Sequence, residues 1–243
     1  MSWTEVRRLG VPLAIAVAIV LSMKREPAEP PVELPSGVPA APSVAELDAA
    51  LQRALAPGAP GYERGAADAP VTVLEFADFG CRYCARFAAE TYPGLAGEYV
   101  RTGRVRWRYV PFVMGMFANG AEAARAAVCA AEQGRSAFDR MHERLYRLQG
   151  EWTGSGDAVG VFRAYAAAVG LDEARFSSCW SSDLPVERIR AANELADQLG
   201  VRATPTFFVA GNMVEGALPL AQFRAVLDAE LGRRDDNRFG GTR

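Results

Sequence analysis

The stretch DFGCRYCARF, residues 78–87, constrains this chain more than any other, because two thiols three residues apart permit few chemistries. Such a pair supplies half of a zinc site, closes a small structural staple, or cycles between dithiol and disulfide. Its flanks set the local frame. VTVLEFADF (71–79) is short, β-branched and aromatic, the composition of a buried strand. CARFAAETYPGLAGEYVRTG (84–103) has a helical pattern that Pro93 is expected to kink and Gly103 to end. RVRWRYVPF (104–112) alternates charged and apolar residues as a second strand. The cysteines therefore stand where a strand hands over to a helix inside a β-α-β unit.

Loop size counts against the staple, since a bridge between residues three apart restricts the unfolded chain very little. Ligand supply counts against zinc, which needs about four ligands. Beyond Cys81 and Cys84 the chain offers only Cys129, Cys179 and His142 as soft ligands, each isolated. A metal-binding or metallochaperone protein using the same two cysteines is the alternative this leaves. Redox exchange is favoured, because C-x-x-C beside a β-α-β pattern has the form of a thioredoxin-like redox motif. Unpaired N–H groups and the helix dipole at the start of the helix favour a thiolate at Cys81. Cys81 is thus expected to be the exposed nucleophile, with the positive charge of Arg82 beside it. Cys84, a turn further in, is the shielded resolving thiol.

The rest of the chain divides around this unit. Within residues 1–25, Arg7 and Arg8 precede an uncharged run from Leu9 to Met23, closed by Lys24 and Arg25. Fifteen residues fit a signal-peptide core better than a full span of roughly 20, yet no A-x-A cleavage site follows. An N-terminal membrane anchor or a signal peptide is expected, and either places the remainder outside the cytoplasm. Residues 26–60 read as a proline-rich linker carrying one short helix, VAELDAALQRAL (44–55), capped by Ser43. Residues 56–70 are a turn-rich lead-in. From about 118 to 199 the pattern is nearly all helical. TFFVA (206–210) and MVEG (213–216) flank Gly211-Asn212 as a hairpin, and a closing helix follows over 218–231. Residues 233–243 read as a solvated polar tail. Net charge is −2 over 243 residues, with no basic block, so nucleic acid is not an expected partner.

DAPVTVLEFADFGCRYCARF, taken with GVRATPTFFVAGNMVEGA, resembles the DsbA-type thiol–disulfide oxidoreductases. The resemblance covers about residues 60 to 232. It implies an α/β thioredoxin fold with an inserted helical subdomain at about 113–185, and no cofactor beyond the redox-active disulfide itself. Pro205 matches the cis-proline that faces the cysteines in this family, where a client strand can pair with exposed backbone. Thr204 places a hydroxyl near Cys81. Glu75 resembles the buried acid that assists proton transfer to and from the resolving cysteine, a setting that raises a carboxyl pKa. Implied partners are unfolded or partly folded protein substrates and a membrane redox partner, either a quinone-linked reoxidant or an electron donor. The implied location is periplasmic, at the inner membrane if the N-terminal segment anchors the chain. One departure stands out: members commonly have proline after the first cysteine, whereas here Arg82-Tyr83 lie between the two. Arg82 favours the thiolate and so an oxidant, while Thr204 resembles isomerase-type relatives. An oxidase and a reductase or isomerase are therefore both open, as is a module that holds unfolded chains without turnover.

Cys129 and Cys179 fall on two different helices of the helical stretch. Outside the cytoplasm they are expected to form a structural disulfide, the alternative being two buried free thiols. His142, among charged residues, is expected at the surface. Met114, Met116 and Phe117 are expected to pack in the core, the alternative being an apolar groove beside the cysteines.

Overall fold

The computed structural model describes residues 43–239. The expected N-terminal anchor and the first part of the linker, like the last four residues of the tail, lie outside the described residues. Among the described residues no helix is long and apolar enough to cross a membrane.

VTVLEFA forms a strand at Val71–Ala77 that is buried on both faces, and everything else is arranged around it. Calling it β2, its neighbours are β3 (Val105–Pro111), parallel, and β4 (Thr206–Val209), antiparallel. β1 (Tyr62–Arg64) adds antiparallel to β3, and β5 (Asn212–Glu215) pairs with β4, giving the order β1-β3-β2-β4-β5. β1 lies in the stretch expected to be turns; three residues are too few for an alternation to register.

Successive side chains of β2 point to opposite faces of the sheet. Val71 and Val73 join a cluster with Phe87, Trp107, Phe207 and Phe223. Leu74 and Phe76 join another with Leu51, Leu195 and Phe208. The first face is covered by α2 and α9. α2 runs through Arg82–Arg86, a π-turn at Phe87–Thr91, Tyr92–Leu95 and a second π-turn at Ala96–Val100; α9 is Leu220–Phe239. The first π-turn ends where Pro93 lacks an N–H, so the helix absorbs the proline by widening, with the Tyr92 N–H donating to the Phe87 carbonyl. Gly103, at φ 75°, ends it, and the Arg104 N–H reaches back to Tyr99.

The second face is covered by α1 (Val44–Leu55) and α8 (Leu184–Gln198). α1 is the helix assigned to the linker, and here the structure differs: Ala50 and Ala54 are fully buried and Leu51 nearly so. Its Ser43–Glu46 capping box fixes where the helix begins. Between β3 and α8, five helices fold on one another: α3 (Gly120–Ala131), α4 (Arg135–Arg147), α5 (Gln149–Thr153), α6 (Ala158–Ala168) and α7 (Glu173–Trp180). A disulfide joins Cys129 on α3 to Cys179 on α7. α9 continues well past Leu231, so the expected tail is helical up to Phe239.

His142 is not at the surface. It is 6 % exposed, ringed by Phe79, Tyr109, Phe138 and Tyr146 at centroid distances of 4.7–5.7 Å. Phe138, Met141, His142, Leu145 and Tyr146 recur at helical spacing along α4, so its charged sequence neighbours lie on other sides of the helix.

Candidate active site

β2 ends at Ala77 and α2 begins at Arg82, and the four residues between make a tight turn. The Cys81 N–H donates to the Asp78 carbonyl at 3.1 Å, and the Cys81 carbonyl accepts from Ala85 N–H as the first bond of the helix. Cys81 is the N-cap residue with extended backbone. A side chain at Gly80 would overlap Phe117, so only glycine lets the 112–119 loop close over this turn.

The β2–β4 register sets Phe76 opposite Thr206, which brings the residues just before β4 to the end of β2. There the Thr204–Pro205 bond is cis, and the Cys81 thiol donates to the Thr204 carbonyl at 3.4 Å. Cys81, Cys84, Thr204 and Pro205, some 120 positions apart in sequence, are thus brought together. The Thr204 hydroxyl lies 3.4 Å from Met114 Sδ.

The two thiols are free, and their surroundings drive their acidities apart. A hydrogen bond from the Cys84 thiol, with others from Thr204 and the backbone of residues 83 and 84, lowers the Cys81 pKa to about 5 against the opposing effect of burial. Burial pushes Cys84 well up, and the bond to Cys81 pushes the same way. Cys81 was expected to be exposed, but it is only 3 % so and Cys84 is fully covered; both belong to the apolar cluster of Phe79 and Tyr109. The reason is the 112–119 loop and the residues before β4, which close over the turn. Arg82 places its guanidinium 4.8 Å from the Tyr83 ring centre and donates to the Tyr83 hydroxyl at 2.9 Å, so hydrogen bonds rather than this arginine lead the lowering at Cys81.

Glu75 is 3 % exposed on the face of β2 that carries Trp107, whose indole N–H donates to it at 2.7 Å. Burial raises its pKa to about 7, partly offset by that bond and by Arg64. Asp78 is a further buried acid at this turn, one that the sequence does not single out. It is 2 % exposed, and its carboxylate accepts from Gly80 N–H and Met114 N–H, both at 2.8 Å. An aspartate two residues before a glycine is the available signal, a turn-forming pattern. Of the three residues expected in the core, Met114 and Phe117 are partly buried, whereas Met116 is 69 % exposed because the loop turns its side chain outward.

A family model described as "Thioredoxin" matches residues 60–229. Among curated proteins, the chain is 36 % identical over 186 residues to a protein named Na(+)/H(+) antiporter NhaA 3 from Salinispora tropica, covering 73 % of this chain and 27 % of that protein. It is 24 % identical over 180 residues to Disulfide bond formation protein D of Bacillus subtilis, covering 69 % of this chain and 75 % of that one. The chain thus spans about a quarter of the antiporter-named relatives and most of the disulfide-formation protein. Among solved structures, Wolbachia pipientis alpha-DsbA1 superposes with a TM-score of 0.66 at 20 % identity, covering 73 % of this chain and 94 % of that one. BdbD from Bacillus subtilis, in its oxidised form, gives 0.64 at 22 %, covering 72 % and 97 %. The matched segment takes in the whole sheet and the cysteine turn: this chain belongs to the thioredoxin family, and its fold is shared with the DsbA-type structures.

Proposed function

We propose that this chain is a thiol–disulfide oxidoreductase acting on cysteine-bearing protein segments outside the cytoplasm, with Cys81 as nucleophile and Cys84 as resolving thiol. The observation that carries this is the split acidity of the pair: about 5 at Cys81, well above the ordinary value at Cys84. A low-pKa thiolate is a good leaving group, and its stabilisation favours the dithiol form, which makes the disulfide oxidising.

In the oxidase direction, a client thiolate attacks Cys81 of the Cys81–Cys84 disulfide. A client–Cys81 bond forms, and the electron pair of the broken bond leaves on Cys84 Sγ, which takes up a proton. A second client thiolate then attacks the client sulfur, forming the client disulfide and releasing Cys81 as thiolate. Two electrons and one net proton end on the protein, the remaining proton passing to solvent. Glu75, buried with a pKa of about 7, is the group suited to move the proton of the resolving thiol. The Thr204 backbone beside Cys81 is where an extended client segment would pair. A quinone-linked membrane protein would accept the electrons. The low pKa of Cys81 favours this direction over reduction or isomerisation.

Equilibration of the protein with glutathione buffers tests the assignment. The expected midpoint is more oxidising than that of glutathione; a strongly reducing midpoint refutes the oxidase direction. Cys84→Ser is expected to accumulate a mixed disulfide when its Cys81 thiolate attacks a disulfide-bearing unfolded protein and the client's other sulfur leaves as thiolate, and Cys81→Ser to form none.

A further inference from the structure

The surface beside Cys81 is cationic and aromatic. Tyr83 is 45 % exposed, and two guanidinium groups flank its ring, Arg82 at 4.8 Å and Arg86 at 5.4 Å from the ring centre. Both arginines are exposed. Among the described residues neither forms an ion pair, although Glu90 lies one turn along from Arg86. Arg202, two residues before Thr204, is by contrast neutralised by Asp197 at 3.2 Å. Two uncompensated positive charges, held in place by stacking on one ring, therefore stand directly after the sulfur that a client must approach.

From this we infer that the site selects client segments carrying an acidic residue next to the reacting cysteine. The inference rests on the proposed exchange chemistry and adds a substrate class to it. In the mixed disulfide the client cysteine is bonded to Cys81, the residue before Arg82, so its chain neighbours pass over the surface that Arg82, Tyr83 and Arg86 form. A carboxylate on that surface meets unpaired guanidinium groups, an attraction screened over roughly 10 Å at 0.1 M salt. A lysine there meets like charge. Met116, 69 % exposed beside Phe117 on the loop that packs against Gly80, adds exposed apolar surface to that loop.

The test uses the oxidised full chain and three dithiol peptides identical except for Glu, Gln or Lys beside the attacking cysteine. Because that residue also alters the peptide thiol itself, the readout is the Glu-to-Lys rate ratio of the wild type divided by that of Arg82→Gln/Arg86→Gln. This quotient is expected to be about three- to tenfold at low salt and to collapse at 0.5 M salt. The charge-reversed pair Arg82→Glu/Arg86→Glu is expected to push the preference the other way. A quotient of one, with all three peptides oxidised, overturns the inference and leaves the exchange reading intact. If no peptide is oxidised, the exchange reading itself fails, and the inference with it.

Discussion

At the scale of single residues, acidity is governed by what each group lost on leaving water and what it found instead. Cys81 lost solvent but gained hydrogen bonds to its charged form, and the bonds prevail. The reduced protein is therefore expected to show thiolate absorbance at 240 nm that disappears only as pH falls through about 5, and alkylation of Cys81 should slow over the same range. A midpoint near 9, the value of an ordinary cysteine, contradicts this. Glu75 lost solvent and gained one good bond, and burial prevails. Because its folded pKa is raised, the folded state holds its proton where the unfolded chain has released it. Stability is thus fully present below about 4.5 and declines as pH rises toward 7, by about 1.4 kcal/mol per pH unit at most. Glu75→Gln removes this term, so the stability difference between variant and wild type, followed by urea unfolding, should rise from pH 4.5 to 7. A difference independent of pH argues against a protonated Glu75. His142 shows the same physics in a basic group: burial among four aromatic rings, helped by the charge on Arg64, lowers its pKa well below the ordinary value and keeps it neutral.

Between elements, covalent and packing ties do different work. The Cys129–Cys179 disulfide joins α3 to α7 across 50 residues of sequence. In the chain-entropy account such a loop contributes about 4 kcal/mol. Replacing both cysteines by alanine is expected to lower unfolding stability by roughly that amount while leaving the Cys81–Cys84 potential unchanged, because the bridge lies within the helical insertion. A shifted potential would show that the insertion holds the site under constraint. The π-turns of α2 are a local answer to proline: Pro93, expected to kink the helix, is taken up by widening within it, because the packing of Phe87, Leu95 and Tyr99 on the sheet favours one continuous element.

For the molecule as a whole, legibility in the sequence followed the range of the interactions. β2 and β4 were readable from short apolar runs, β3 from its alternation of charged and apolar residues, and the cysteine turn from its spacing. β1 was not, since three residues gain their strand character only by pairing with β3. α1 was readable as a helix but not as part of the domain, because what buries Ala50 and Leu51 is Phe208 and Leu195, more than 140 residues away. Asp78 was hidden for the same reason: one of its two partners, Met114, lies 36 positions along the chain. The sequence by itself determined the chemistry on offer, two thiols at the start of a helix, a Thr-Pro step before a strand and an acid in an apolar run, because periodicity and spacing are local properties. The tertiary structure alone decided that Cys81 is covered rather than exposed, that His142 is neutral in an aromatic nest and that Arg82 stacks on Tyr83. Desolvation and charge pairing depend on which distant segments meet, and no stretch of sequence carries that information alone.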